Sequence, residues 1–194
     1  MRQIGALIQD PTFYEVLLRF DRDLAEAARR SGCGCGGQLH QAHYDRKPRG
    51  GPPTPGMDGG PLHRRLSYCC GRQGCRLRVT PPSVRFLGRR VYWSVVVVLV
   101  MALESCTTER RYRAIKTALE VSRQTLARWR QWWREAFAKT QFWHVARGAF
   151  IPAVEVVRMP ASLLERFCQH NDDRGGVVAL LKFLGPLTTG SPGR

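Results

Sequence analysis

Five of the seven cysteines fall into two short, glycine-rich groups that can hold a metal ion. The first group lies between Gly32 and Gly37, and the second runs from Cys69 to Cys75. Cysteine thiolates are the usual ligands of structural zinc, four to an ion, and glycines let the backbone turn its N–H groups toward the sulfurs. The sequence therefore predicts a Zn2+ site with four ligands: Cys33, Cys35, Cys70 and Cys75.

Other uses of these cysteines are open at this point. The Cys-x-Cys spacing of the first group is shorter than the usual Cys-x2-Cys, and Cys69, His40 or His43 can replace one sulfur. A redox-active or purely structural cysteine cluster is the other interpretation. Because the number of cysteines is odd and the chain is expected to be cytoplasmic, reduced or metal-bound thiols are favoured over disulfides. Cys106 and Cys168 are expected to be small buried hydrophobic residues.

A second chemical signature is the segment from Leu119 to Phe137, which combines an apolar stripe with arginine and glutamine side chains. Ser122 is a suitable N-cap, so we predict a helix that begins at Arg123. The stripe consists of residues spaced three and four apart: Leu126, Trp129, Trp133 and Phe137. The opposite side carries three side chains that can pair with adenine and guanine edges: Gln124, Arg128 and Gln131. Three flanking arginines suit phosphates: Arg123, Arg130 and Arg134.

The charge of the chain favours a polyanionic partner. The 194 residues carry a formal net charge of +16, which points to DNA, RNA or an anionic membrane surface. The charge is also uneven, since the 45 residues from Gly59 to Leu103 contain no acidic residue. They contain eight arginines: Arg64, Arg65, Arg72, Arg76, Arg78, Arg85, Arg89 and Arg90. Among these, Arg76 and Arg78 are predicted to contact the DNA backbone.

The elements that must position these residues begin with an N-terminal amphipathic helix. Asp10 before Pro11 is a typical helix start, so a helix is predicted to run to about Arg30. Its apolar residues recur three and four apart: Phe13, Val16, Leu17, Phe20, Leu24, Ala27 and Ala28. Short strands are predicted from Arg65 to Tyr68 and from Arg76 to Thr80, and a loop rich in proline and glycine from Pro48 to Pro61. Together these features predict a small zinc ribbon.

The second half of the chain is predicted to be helical. A buried helix from about Arg89 to Glu104 precedes a helix from Glu109 to Leu119, and Glu120 and Val121 form the turn before the Arg123 helix. This order predicts a helix-turn-helix DNA-binding domain. Two further short helices are predicted from Ala161 to Gln169 and from Val177 to Leu184.

The expected fold is therefore mainly α: a helix-turn-helix bundle with a small inserted β zinc ribbon. The predicted parts are an N-terminal amphipathic helix over 1–32, the zinc ribbon with its proline- and glycine-rich loop over 33–82, the helix-turn-helix domain over 83–150, short C-terminal helices over 151–187 and a disordered tail over 188–194.

This layout resembles the N-terminal region of bacterial insertion-sequence transposases, in which a zinc ribbon is joined to a helix-turn-helix. The likeness covers roughly residues 33 to 137 and is carried by the CGCGG segment, by Ser67-Tyr68-Cys69-Cys70 with Cys75-Arg76-Leu77-Arg78 after it, and by VSRQTLARWRQWWREAF. The resemblance implies binding to terminal repeats or other DNA, with Cys33, Cys35, Cys70 and Cys75 at the metal positions and the Arg123 to Arg134 segment as the recognition helix.

The chain departs from those transposases in the part that does chemistry. They continue into a catalytic domain whose acidic triad holds two divalent metals. Here four acidic residues follow Phe137, in short helical or turn segments: Glu155, Glu165, Asp172 and Asp173. The sequence also lacks a phosphate-binding Gly-x4-Gly-Lys loop, a Gly-x-Ser-x-Gly elbow and a His-Glu-x2-His zinc protease motif. We therefore expect no enzymatic activity.

The sequence predicts a cytoplasmic protein that binds double-stranded DNA, either as an accessory protein of a mobile element or as a transcriptional regulator. A second copy of the chain or a mobile-element protein is the expected protein partner. The N-terminus lacks the features of a signal peptide, and the apolar run from Val91 to Leu103 is too short to cross a hydrocarbon core of about 30 Å, so no membrane is expected.

Two alternatives to DNA binding stay open. The first is a zinc-stapled protein-interaction module that docks through the N-terminal helix and aromatic residues: Trp129, Trp132, Trp133, Phe142 and Trp143. The second is an RNA binder that stacks bases on Tyr68 and Tyr92 and contacts phosphates with arginines.

Overall fold

The computed structural model describes residues 4–51, 60–87, 92–106, 108–119, 121–169 and 171–189. It is 57% helical, with 10% strand in two small sheets. The chain divides into two compact units. We call Asp10–Trp93 with Lys182–Arg194 the ribbon unit, and Met1–Gln9 with Ser94–Leu181 the helical unit.

The ribbon unit begins with helix α1, Pro11–Ser31. Its start is as predicted, because the Asp10 side chain accepts a hydrogen bond from the backbone N–H of Thr12, and Gly32 ends it with a φ of 72°. Its buried face is rotated from the predicted stripe and consists of Phe13, Tyr14, Leu17, Leu18, Asp21 and Ala25. A charged residue, Asp21, therefore lies on the buried face, which hydrophobicity alone could not predict.

Five short strands follow: β1 Leu39–Gln41, β2 Tyr44–Asp45, β3 Arg64–Arg65, β4 Tyr68–Cys70 and β5 Arg78–Val79. They form a three-stranded antiparallel sheet in the order β1-β4-β5 and a separate β2-β3 pair. In the larger sheet Leu39 lies opposite Cys70, and Tyr68 lies opposite Val79. Leu39, Tyr68 and Cys70 pack with Ala25 of α1 in one buried cluster, so the sheet rests on the C-terminal half of α1.

Two of the arginines predicted to favour phosphate are buried inside the ribbon unit instead. Arg85 forms an ion pair with Asp21 in which both side chains are almost inaccessible to solvent. Arg65 donates hydrogen bonds to the backbone carbonyls of Pro81, at 2.6 Å, and Thr188, at 3.3 Å. Thr188 is buried in turn, so the predicted disorder of the tail is wrong at this residue, while 190–194 lie outside the described residues.

The helical unit is organised around α2, Ser94–Cys106. The residues from Val95 to Val100 are all at most 1% exposed, which confirms a buried helix in this region. Helices α3, α4 and α6 and the 3-10 helix Ile4–Gln9 all contact α2. No helix in the described part of the chain is both long and apolar enough to cross a membrane. The other elements are α3 Glu109–Ala118, α4 Arg123–Gln131, the π-helix Trp132–Phe137, α5 Gln141–Ala146, α6 Ala161–Cys168 and α7 Asp173–Leu184, which continues into the ribbon unit.

The predicted helix-turn-helix bundle is wrong. In the described residues of the helical unit the helices pack around α2, the two small sheets belong to the ribbon unit, and no helix-turn-helix bundle is present. A small inserted β element is compatible with the structure. The physical reason is that turn and stripe patterns specify single helices, whereas the angle at which two helices pack depends on the residues of both. The predicted turn residue Glu120, like Arg89, Arg90 and Val91, lies outside the described residues.

The predicted helix from Ser122 to Phe137 also changes form at its midpoint. Ser122 is the N-cap, as predicted, with its hydroxyl accepting from the backbone N–H of Thr125. The α-helix ends at Gln131, and the chain continues as a π-helix to Phe137. Trp129, Trp133 and Phe137 are spaced four residues apart, so in a regular α-helix their directions would rotate progressively away from one face. The π-helix has more residues per turn, and all three side chains are buried.

Candidate functional site

Four cysteine thiols from distant parts of the ribbon unit come together at one point. They are the predicted set, Cys33, Cys35, Cys70 and Cys75, and all four sulfurs lie within 4.8 Å of one another. The Sγ atoms of Cys33 and Cys75 are 3.7 Å apart, and those of Cys35 and Cys70 are 3.5 Å apart. Such a set of soft donors can hold a metal ion.

The first pair of thiols is positioned by the turn that follows α1. The backbone N–H of Gly36 donates to the carbonyl of Cys33 at 2.7 Å, and the N–H of Cys33 donates to the carbonyl of Gly37 at 3.2 Å. Gly36 has a φ of 80°, which a side chain would oppose. At Gly37 an added Cβ would lie 2.5 Å from the sulfur of Cys70 and 3.2 Å from that of Cys35. Glycine at 37 is therefore required for the sulfurs to meet.

The second pair is positioned by the connection between β4 and β5. Cys70 is the last residue of β4, and its backbone N–H donates to the carbonyl of Leu77 at 3.0 Å. The N–H of Cys75 donates to the carbonyl of Arg72 at 3.2 Å after a turn at Gly74, whose φ is 83°. The Arg72 side chain reaches back to the carbonyl of Cys35 at 2.6 Å and joins the two cysteine turns.

The thiols of Cys35 and Cys70 differ in their pKa. The backbone N–H of Gly37 and the thiols of Cys75 and Cys70 lower the pKa of Cys35 to about 6. At Cys70 the backbone N–H of Arg72 lowers the pKa, but burial and the neighbouring thiols raise it more, to about 12. The lowered pKa of Cys35 favours its thiolate, the form that binds a cation, whereas the raised pKa of Cys70 means that a metal must displace its proton.

The three residues considered as replacement ligands lie outside this group. The thiol of Cys69 donates to the carbonyl of Arg76 over 3.5 Å. The Nδ1 atom of His43 lies within hydrogen-bond distance of the backbone N–H and carbonyl of Ser67. His40 is exposed and pairs across the sheet with Cys69. Cys168 is half-buried, and burial raises its pKa; the side chain of Cys106 is outside the described residues.

The arginines of the ribbon differ in what they can reach. Arg64, Arg72, Arg76 and Arg78 are exposed, whereas Arg65 and Arg85 are committed to internal contacts. The Arg78 guanidinium donates to the carbonyl of Ala42 at 3.2 Å and lies over the ring of Tyr44, 5.5 Å from its centroid. It is held in place beside the sheet with its charge accessible.

On α4 the structure separates the two predicted sides. Leu126 and Trp129 are buried, as are Trp133 and Phe137 of the π-helix, while four residues predicted to contact DNA are exposed: Arg123, Gln124, Arg128 and Arg134. Gln131 is exposed and donates to Glu135 at 3.1 Å. Arg130 is only partly exposed and forms an ion pair with Glu104 of α2, so it helps to hold α4 on α2.

Burial also bears on the two alternatives. Trp129, Trp133 and Trp143 are at most 2% exposed and cannot form the docking face expected for an interaction module. Tyr68 is 4% exposed and Tyr92 is 9% exposed, so neither offers a ring face for RNA bases to stack on. Sequence reasoning missed one structural pair, Asp21 and Arg85, and the only available signal was that Asp21 stands between Leu17 and Ala25 on one helix face.

No family model, curated protein or solved structure matches the chain. The resemblance to insertion-sequence transposases therefore stays an expectation from the sequence.

Proposed function

We propose that the protein binds double-stranded DNA with sequence preference and that a zinc ion holds its ribbon together. The observation that carries the DNA-binding part is the contrast between the two sides of α4. Leu126 and Trp129 anchor one side in the core, while Gln124 and Arg128 project from the other side. A rigidly held helix with exposed arginine and glutamine suits the major groove, where these side chains distinguish guanine and adenine.

The donor set favours zinc. Four thiols around one point suit the tetrahedral Zn2+ ion or an iron–sulfur cluster. Sulfurs bound to one Zn2+ ion at about 2.3 Å lie about 3.8 Å apart in a tetrahedron. The separations of 3.7 Å and 3.5 Å are close to this value. A cluster of several irons occupies more room and holds its cysteines farther apart, so a single zinc ion is the better fit.

The ribbon arginines supply the sequence-independent part of the affinity. Arg76 and Arg78 are exposed on the hairpin that carries Cys70 and Cys75, and no acidic residue occurs between Gly59 and Leu103. Phosphate contacts by such arginines release counterions and make binding salt-dependent. The exposed side of α4 lies in the helical unit, and the exposed ribbon arginines lie in the ribbon unit. An accessory role in a mobile element or a role in transcription is compatible with this activity.

The experiment that tests the proposal is selection of bound sequences from a random duplex pool at a fixed salt concentration, with zinc measured on the same preparation. We expect about one zinc per chain and an enriched sequence. Arg128→Ala should relax preference at one or two positions by about 1–3 kcal/mol. Arg147→Ala, which removes another exposed arginine of the helical unit, is the matched control and should leave the preference unchanged.

Other results would contradict the proposal. Less than half an equivalent of zinc would exclude the metal assignment. Equal affinity of the wild type and Arg128→Ala for every duplex would exclude base recognition by α4. Binding to RNA or to a protein without any duplex binding would exclude DNA as the partner.

A further inference from the structure

Leu77 is an apolar side chain that the fold leaves in solvent at the end of the cysteine hairpin loop, directly before β5. It is 48% exposed, whereas its neighbours Cys75 and Val79 pack against the buried cluster of the ribbon unit. The residues on either side of it, Arg76 and Arg78, are both exposed. A single exposed leucine is common on protein surfaces, so its significance depends on how it is held.

The backbone before Leu77 is held in an unfavourable conformation. Arg76 has a φ of 47°, and it is the one non-glycine with a positive φ among the described residues. This conformation disfavours a side chain with a Cβ, and such outliers cluster at functional sites. Glycine would fit here, as it does at Gly74. Arginine in this position places a cation next to Leu77.

The hairpin that carries Leu77 is held by hydrogen bonds of its own backbone and side chains. The carbonyl of Leu77 accepts from the backbone N–H of Cys70, and the carbonyl of Arg76 accepts from the thiol of Cys69. Cys75, two residues before Leu77, belongs to the four-thiol group. Arg78, one residue after it, is held by Ala42 and Tyr44. An apolar side chain on so rigid a support loses little conformational freedom when it enters a partner.

We infer that Leu77 inserts between base pairs from the minor groove of duplex DNA while Arg76 and Arg78 hold the adjacent phosphates. This inference rests on the proposed DNA binding. An apolar wedge between cations is the chemistry by which proteins unstack a base step and bend the duplex. The charge of the hairpin matches the phosphate backbone, and the wedge enters the apolar space between stacked bases. One leucine is too small an apolar surface to hold a protein on a membrane, where even one acyl chain binds marginally.

The test uses the full-length, zinc-loaded protein and a mixed-sequence duplex with 2-aminopurine at internal positions and a donor and acceptor dye at its ends. The wild type should raise 2-aminopurine fluorescence, because the bases unstack, and raise energy transfer, because the ends approach. Netropsin, a minor-groove ligand, should compete with it. Leu77→Ala should abolish both optical changes and weaken binding about tenfold with an unchanged salt dependence. Leu77→Met, which keeps an apolar wedge, should retain them.

Val145→Ala is the matched control, since Val145 is 77% exposed on another element and its loss should change neither signal. Zinc content and circular dichroism confirm that each variant is folded. Duplex binding with the same bending in Leu77→Ala and wild type would overturn the inference and leave the proposed DNA binding intact. A wild type that binds no duplex would overturn both. Binding to phosphatidylserine vesicles that requires Leu77 would overturn the inference by assigning this side chain to a lipid surface.

Discussion

The Nε atom of Arg85 donates a hydrogen bond of 2.8 Å to the carboxylate of Asp21, and neither side chain is exposed to solvent by more than 1%. The same carboxylate accepts from the hydroxyl of Ser83 and the backbone N–H of Val84. Arg85 also donates to backbone carbonyls, including that of Arg64 at 2.8 Å. This buried pair joins α1 to the two chain segments that flank the cysteine hairpin.

Loss of one charge from this pair should destabilise the protein strongly. In Asp21→Asn the buried guanidinium of Arg85 keeps its charge without a counterion, which should cost about 3 kcal/mol of the free energy of unfolding. Urea denaturation of the zinc-loaded protein measures it. Asp23→Asn removes an exposed charge from the same helix and should change stability by less than about 0.5 kcal/mol. Equal stabilities of the two variants would contradict a structural role for the pair.

A methyl group at position 37 should disrupt the metal site. In Gly37→Ala the added Cβ would stand 2.5 Å from the sulfur of Cys70, closer than van der Waals contact allows. Zinc affinity, measured by competition with a chelating dye, should fall at least about tenfold because the sulfurs must move from tetrahedral positions. Gly34→Ala is the control, since an added Cβ there meets nothing within 4 Å. Cys69→Ser should likewise retain one zinc. Equal zinc affinity in Gly37→Ala and Gly34→Ala would contradict the observed packing.

Two substitutions at position 76 should separate strain from charge. Arg76→Gly and Arg76→Ala both remove the guanidinium. At a φ of 47° the Cβ of alanine keeps the steric strain, whereas glycine has no Cβ and removes it. The glycine variant should therefore be the more stable, by about 1 kcal/mol in thermal or urea unfolding. This order is the reverse of that in ordinary helices and strands, where glycine is the less stable. Both variants should lose DNA affinity equally and show a shallower salt dependence. An alanine variant at least as stable as the glycine variant would show that the conformation is unstrained.

The local features of the chain could be predicted because neighbouring residues determine them. Asp10 and Ser122 cap their helices, as their side-chain chemistry indicates. The apolar run from Val95 to Val100 is buried, because a continuous run of apolar residues leaves no polar side to face solvent. The four clustered cysteines follow from residue type and glycine spacing, whereas the exclusion of Cys69 as a replacement ligand required the structure. Each of these features depends on a few consecutive residues or on residue type, and neither changes with the way the rest of the chain packs.

The helix-turn-helix prediction failed because it required information about packing. The stripe through Leu126, Trp129 and Trp133 correctly indicated a buried side, but not which element would cover it. Helix α2 is buried from Val95 to Leu103, and α3, α4 and α6 all pack against it. Helix pairs cross at angles set by the side chains of both partners, and a pattern in one of them does not contain that angle.

The sequence by itself determined the donors and the charges of this protein: four thiols flanked by glycines, a basic helix with one apolar side, and a long stretch rich in arginine without an acid. Only the tertiary structure decided how the arginines are used. Arg85 is buried against Asp21, while Arg76, nine residues earlier, stands exposed beside Leu77. The residue type is the same, and the difference arises because a buried charge needs partners from distant segments, which folding alone brings together.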